Sequence, residues 1–128
     1  YYVLHSIYKK VSHMKSRAQY RKGCLRTLVL KIISERPMYG YEIASVLAKR
    51  SDNIFSLGQG TLYPLLYSLE KKRLISAFKK VKDENSERTR LYYKLTAKGE
   101  EILEEDLATW ADVVKGMALV LRSGYAKC

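Results

Sequence analysis

The sequence predicts a mainly α fold with a minor β component: three helices, a two-stranded hairpin and a long terminal helix. Three observations carry that expectation. Apolar residues recur at helical spacing through Leu25–Ile32, Ile43–Leu47 and Leu62–Leu69. After Arg73 the period changes, and β-branched and aromatic residues gather on either side of a polar turn. A helical period then returns beyond Thr96.

In the first helix, Leu25, Leu28, Val29 and Ile32 set one buried face between Cys24 and Ser34, and Pro37 and Gly40 end it. The second runs from about Tyr41 to Lys49 with Ile43, Val46 and Leu47 apolar, and the Ser, Asp, Asn and Gly residues between Arg50 and Gly58 read as a connection. A third helix spans about Gly60 to Lys72, with Leu62, Leu65, Leu66 and Leu69 inward; its Pro64 is tolerated near a helix start, where backbone N–H groups lack intrahelical partners. Leu74, Ile75, Phe78 and Val81 lead into the polar turn Lys82-Asp83-Glu84-Asn85-Ser86, and Thr89 to Leu95 forms the returning strand. Thr96 is placed to cap the last helix, whose early turns carry Glu100, Glu101, Glu104, Glu105 and Asp106, where the helix dipole favours anions. That helix runs to about Arg122.

No long linker, repeat or low-complexity tract divides these elements, so the chain reads as one cooperative unit. Its parts are a basic helical extension over 1–22, a domain over 23–96, a terminal helix over 97–122 and a tail over 123–128. The element order is that of a winged helix-turn-helix with a two-stranded wing and a C-terminal helical extension. Such domains set their third helix in the DNA major groove and use the hairpin as a wing.

The charge agrees with a polyanionic partner. The 128 residues carry 24 Lys and Arg against 13 Asp and Glu, a net charge of +11, and twenty of those basic residues but only seven of the acids fall within residues 1–96. Cys24 and Cys128 stand far apart with no second Cys or His at ligand spacing, so neither a disulfide framework nor a zinc site is expected. A reduced cytoplasmic protein fits. No apolar run approaches the ~20 residues needed to span a bilayer, and Lys9, Lys10 and Lys15 interrupt the start too often for a secretory signal. His5 and His13 are too isolated for a metal centre, and no nucleophile–base set, phosphate loop or paired acids are present. Neither catalysis nor a cofactor is expected.

With its leucines inward, the third helix turns Gln59, Thr61, Tyr63, Pro64, Tyr67 and Lys71 outward, groups that meet base edges, thymine methyls and phosphates. Tyr63 and Pro64 also read as packing and helix-start residues. The wing holds Lys79, Lys80, Lys82, Arg88 and Arg90 beside Asp83, Glu84 and Glu87; basic hairpins bind phosphate or enter a narrow minor groove, and the alternative is a solvated charged hairpin. In the last helix Leu103, Leu107, Trp110, Val114, Met117 and Leu121 alternate spacings of four and three, a seam that wants a partner helix unless the chain's own domain covers it. Residues 1–22 combine Val3, Ile7, Val11, Met14 and Ala18 with six cations and no acid, which suits packing on a partner subunit, contact with flanking DNA phosphate or, as the least favoured reading, a membrane surface.

The segment Gly60-Thr61-Leu62-Tyr63-Pro64-Leu65-Leu66, followed by Leu69-Glu70 and Leu74-Ile75, resembles the recognition helix of PadR-type regulators. Pro37-Met38-Tyr39-Gly40-Tyr41-Glu42-Ile43 is similar to the segment that opens their second helix, and Arg90-Leu91-Tyr92-Tyr93-Lys94-Leu95-Thr96-Ala97-Lys98-Gly99 to the end of their wing. Together the three cover roughly residues 25 to 122. The resemblance implies a homodimeric transcriptional regulator of the shorter subfamily, usually a repressor, held together by its last helix. It would bind a two-fold symmetric DNA operator in the cytoplasm, in association with the nucleoid. It also implies that Trp110 lines a cleft between subunits and stacks on a small flat aromatic effector; interface packing is the plainer role for that residue. Arg90 matches a basic position of the family's wing, whereas Leu91 stands where a second basic residue is usual. A non-specific architectural or chromatin-like DNA-binding protein is the alternative that charge alone allows, and a ligand or protein-interaction module that has lost the DNA role is a third.

Overall fold

The computed structural model describes residues 2–81 and 88–126, and the side chains of 19–81 and 88–122. Its elements follow the order α1 (Tyr2–Glu35), β1 (Met38–Tyr39), α2 (Gly40–Arg50), α3 (Gln59–Lys71), β2 (Ile75–Val81), β3 (Thr89–Leu95) and α4 (Ala97–Ala126). The fold class is the expected one, four helices with a small antiparallel sheet.

Three differences from the sequence expectation have physical causes. The helix begun at Cys24 is continuous with the preceding basic segment, because nothing between them breaks the backbone: Gly23 sits in open helix and keeps its hydrogen bonds. The sheet has three strands in the order β1-β3-β2 rather than two, since Met38 and Tyr39 pair with Tyr93 and Tyr92. The last helix extends past Arg122 to Ala126.

Among the described residues the core contains only apolar side chains and Tyr93. Val29, Leu30, Ile32 and Ile33 of α1 pack with Ile43 and Leu47 of α2, with Leu62, Leu66 and Leu69 of α3, and with Met38, Leu74 and Ile75. Leu28, Val46 and Leu65 lie half-buried at its edge. Among the described residues no charged side chain is buried.

Both α2 and α3 end without glycine. After α3, Arg73 takes a left-handed conformation (φ 62°), its N–H bonds to the Glu70 carbonyl at 2.9 Å, and the Leu74 N–H bonds to the Leu69 carbonyl at 3.0 Å. Asp52 does the same after α2, with Asn53 N–H on the Ala48 carbonyl at 2.8 Å. These caps satisfy carbonyls that the helix itself leaves unpaired.

The departure of α4 is fixed at Leu74. The Leu74 carbonyl accepts the Thr96 N–H at 3.1 Å; the Thr96 hydroxyl donates to the Arg73 carbonyl at 2.7 Å, with the Leu74 carbonyl at 3.0 Å as its second acceptor, and itself accepts the Gly99 N–H at 3.0 Å. Thr96 is therefore the N-cap expected from the sequence, and it also ties α4 to the end of α3. Gly99 is buried there, and a Cβ at its position would overlap the Leu74 carbonyl oxygen and approach Leu95 Cδ1 at 2.8 Å. Helix propensity alone would favour alanine by about 0.5–1 kcal/mol, so the sign of the substitution is diagnostic. Gly99→Ala is expected to lower stability by about 1–3 kcal/mol through overpacking, read as a lower urea midpoint; an unchanged or raised midpoint would contradict this packing.

Candidate nucleic-acid interface

Burial of Leu62, Leu66 and Leu69 fixes the rotation of α3, and the opposite face turns out Gln59, Thr61, Tyr63, Pro64, Tyr67 and Lys71, all exposed. Every third-helix residue expected to face a ligand is on that surface. Pro64 is the sixth residue of α3, in its second turn, so it withdraws one intrahelical N–H from the carbonyl of the exposed Gly60.

Sequence reasoning missed the neighbouring face of α2. Tyr41, Ser45 and Lys49 line a groove of about 460 Å³ together with Gln59 and Tyr63 of α3. Their spacing of four residues was a legible signal, a polar stripe opposite Ile43 and Leu47. Tyr41 is 71% exposed, which gives the groove an aromatic wall with a hydroxyl at its tip. On the other side of α3, Gly60, Thr61 and Pro64 border a broader groove of about 750 Å³ that also takes in Arg21, Lys22 and Arg26 of α1.

The wing stands beside these grooves. A cleft of about 390 Å³ between wing and α3 is lined by Tyr39, Gly40, Tyr41, Tyr63, Arg90, Leu91 and Tyr93. Gly40 leaves room for Tyr63: a Cβ there would lie 2.9 Å from the Tyr63 hydroxyl. Burial raises the Tyr93 phenol above its usual pKa, with Glu70 and Tyr63 adding to the shift, so it stays protonated in the core. Lys79, Lys80 and Arg88 are exposed and Arg90 half-buried, whereas Lys82 lies outside the described residues, as do Asp83, Glu84 and Glu87.

Two acids of this region are engaged by arginines. Arg50 holds Glu35 at 2.6 Å and Arg36 holds Glu42 at 2.7 Å. The hydrogen bond from Arg50 pulls the Glu35 carboxyl below its ordinary pKa, and the matching contacts raise both guanidinium groups. Each pair is neutral, so these two acids lie against Arg50 and Arg36 rather than against Lys49, Lys71, Lys80 or Arg90.

The proposed dimer seam divides in two. Leu103 is 7% exposed and belongs to the core of its own chain, while Leu107, Trp110, Val114, Met117 and Leu121 are exposed by 40–62%. The boundary falls at Asp106, where Arg26 makes a two-pronged ion pair at 2.5 and 2.9 Å and Thr27 donates at 3.1 Å, the last clamp between α1 and α4 among the described contacts. Asp106 also keeps the Arg26 guanidinium raised. Beyond it α4 projects from the domain with Val113 and Val120 exposed as well. No described helix is long and apolar enough to cross a membrane.

A helical pair with an outward polar face, a wing at its side and a projecting helical arm define a winged helix-turn-helix protein. The chain belongs to the PadR-like family of transcriptional regulators, whose family model matches residues 29–105; this is a family of regulators, not of enzymes. It is similar to the crystal structure of a PadR-like transcriptional regulator from Bacillus cereus, with 35% identity and a TM-score of 0.71 over 80% of this chain and 96% of that one. A PadR family regulator from Eggerthella lenta is similar at 31% identity and a TM-score of 0.73, covering 91% and 96% of the two chains. The Bacillus subtilis PadR crystallised with operator DNA shares the fold, at 22% identity and a TM-score of 0.57 over 65% of this chain and 45% of that one.

Proposed function

We propose that this chain is a sequence-specific DNA-binding regulator of transcription, a repressor, that acts in the cytoplasm as a homodimer on a two-fold symmetric operator. The observation that carries this reading is the α3 surface, where Gln59, Thr61, Tyr63, Tyr67 and Lys71 stand together in solvent between two grooves. In this account α3 enters the major groove; Gln59 and Thr61 read bases, and Tyr63, Pro64, Tyr67 and Lys71 border them. Tyr41 and Lys49 join that surface from α2. Lys80, Lys82, Arg88 and Arg90 of the wing meet phosphate. The relative held on operator DNA supports the reading by fold.

Division of labour follows the chain: residues 23–96 bind DNA, 97–122 join two copies, and 1–22 add a basic arm that packs on the partner subunit and contacts flanking phosphate. Dimerisation is supported by the row from Leu107 to Leu121, whose members Leu107, Trp110, Val114, Met117 and Leu121 are exposed among the described residues. Trp110, 55% exposed on that row, would then flank a cleft between copies and take a flat aromatic effector. The competing reading, non-specific binding by charge alone, is favoured only by the net charge of +11.

Gln59→Ala and Thr61→Ala are expected to relax sequence preference, each lost base contact being worth about 1–3 kcal/mol, whereas Arg88→Ala and Arg90→Ala weaken all duplexes alike and lower the salt slope by roughly one per phosphate. Wing variants that change specificity while helix variants do not would show that α3 is not the reading element. For the dimer, Leu107→Glu with Val114→Glu buries uncompensated charge at a cost of about 3–5 kcal/mol, so sedimentation is expected to give monomer or unfolded chain. A stable dimer would mean that the contact lies elsewhere. An effector at Trp110 must quench its fluorescence and shift DNA affinity by the same factor as DNA shifts effector affinity. Titration of free and DNA-bound protein with flat aromatic dyes checks both, and equal binding by Trp110→Ala reduces Trp110 to packing.

A further inference from the structure

The sheet has an outer face, opposite the core, whose β1 edge borders the cleft toward α3. Tyr93 points into the core, so Tyr92 next to it points the other way. Register sets Tyr39 of β1 and Phe78 of β2 directly opposite Tyr92, one aromatic residue from each strand in a single row. Tyr39 meets Tyr92 edge-on with ring centres 5.6 Å apart, and Phe78 stacks on it at 5.8 Å.

Each ring of that row carries a cation. The Arg90 guanidinium lies 4.2 Å from the centre of Tyr39, Lys80 Nζ 5.5 Å from Tyr92, and Lys94 Nζ 5.8 Å from Phe78. The lysines are near the outer limit of about 6 Å for such attraction, and Arg90 is well inside it. A guanidinium is planar and weakly hydrated, so it gives up less water than an ammonium to lie on a ring. These faces are occupied by the protein's own cations, which argues against a platform for unpaired bases.

We propose that Tyr39 is a positioning residue for DNA binding: its ring holds the Arg90 guanidinium in the cleft shared with Tyr41 and Tyr63, at a fixed offset from α3. Tyr39 is suited to this because the next residue, Gly40, packs against Tyr63 of α3. One short segment therefore sets both the wing arginine and a tyrosine of the reading helix. An arginine already held in place loses less rotamer freedom when it meets phosphate, so the contact to DNA is stronger than a free arginine would make. The inference rests on the reading that Arg90 contacts DNA.

The test uses the full chain and mixed-sequence duplex DNA, since a phosphate contact does not depend on sequence, with affinity measured by fluorescence anisotropy across a salt series. Arg90→Ala is expected to weaken binding and lower the salt slope by roughly one per wing. Tyr39→Leu is expected to weaken it about 2- to 5-fold per wing, Tyr39→Phe to restore most of the loss, and the double variant Tyr39→Leu with Arg90→Ala to bind no worse than Arg90→Ala alone. In the free native protein, the Arg90 δ-methylene protons are expected to show ring-current shifts and cross-relaxation with the Tyr39 ring, a readout that survives even if Tyr39→Leu fails to fold. If Arg90→Ala is silent, the DNA role of Arg90 falls and this inference with it. If Arg90→Ala weakens binding but Tyr39→Leu is silent or strictly additive with it, or if the native protons show no ring-current shift, only the positioning role of Tyr39 is overturned.

Discussion

The Leu74 carbonyl is the joint on which the molecule turns. It follows directly on the cap of α3, accepts the Thr96 N–H, shares the Thr96 hydroxyl with the neighbouring Arg73 carbonyl, and lies under Gly99 in the first turn of α4. The end of α3, the root of the wing and the start of the projecting helix therefore meet within one residue's reach. Such an arrangement leaves α4 a single direction of departure, and the Arg26–Asp106 pair then holds it against α1 two turns later. Proposed DNA-binding and dimerising surfaces are thereby set at a fixed mutual angle, the geometric requirement for reading two half-sites at once.

Much of this was legible in the sequence, for identifiable reasons. Leu62, Leu66 and Leu69 carry the helical period of α3, and Thr89–Leu95 coincides with β3 because β-branched and aromatic residues are confined there by Ser86 on one side and Thr96 on the other. Thr96 announced its own capping role. What the sequence hid depends on partners distant in the chain. Two-residue β1 has no period to detect and exists only through its pairing with Tyr92 and Tyr93. The ends of α2 and α3 were placed to within a residue, but the left-handed caps at Asp52 and Arg73 that close them carry no glycine to announce them.

Leu103 illustrates a different limit. It falls in register with Leu107 and Trp110, and periodicity cannot tell a residue buried by its own chain from one awaiting another; packing against the core decides it. The same holds for the outer sheet face, where Arg90 and Tyr39 are fifty-one positions apart in sequence and are joined only by strand register. Charge behaves likewise. Composition does not tell which cations Glu35 and Glu42 neutralise; the structure pairs them with Arg50 and Arg36.

The central claim is that two copies of this chain read a symmetric DNA sequence through α3. Repeated selection of bound duplexes from a random-sequence pool, at physiological salt, tests it with no target sequence assumed. The account predicts enrichment of two inverted half-sites whose centres lie about 10 base pairs, or a multiple of that, apart. Recovery of an unenriched pool at comparable affinity would contradict it and leave a protein that binds DNA by charge alone.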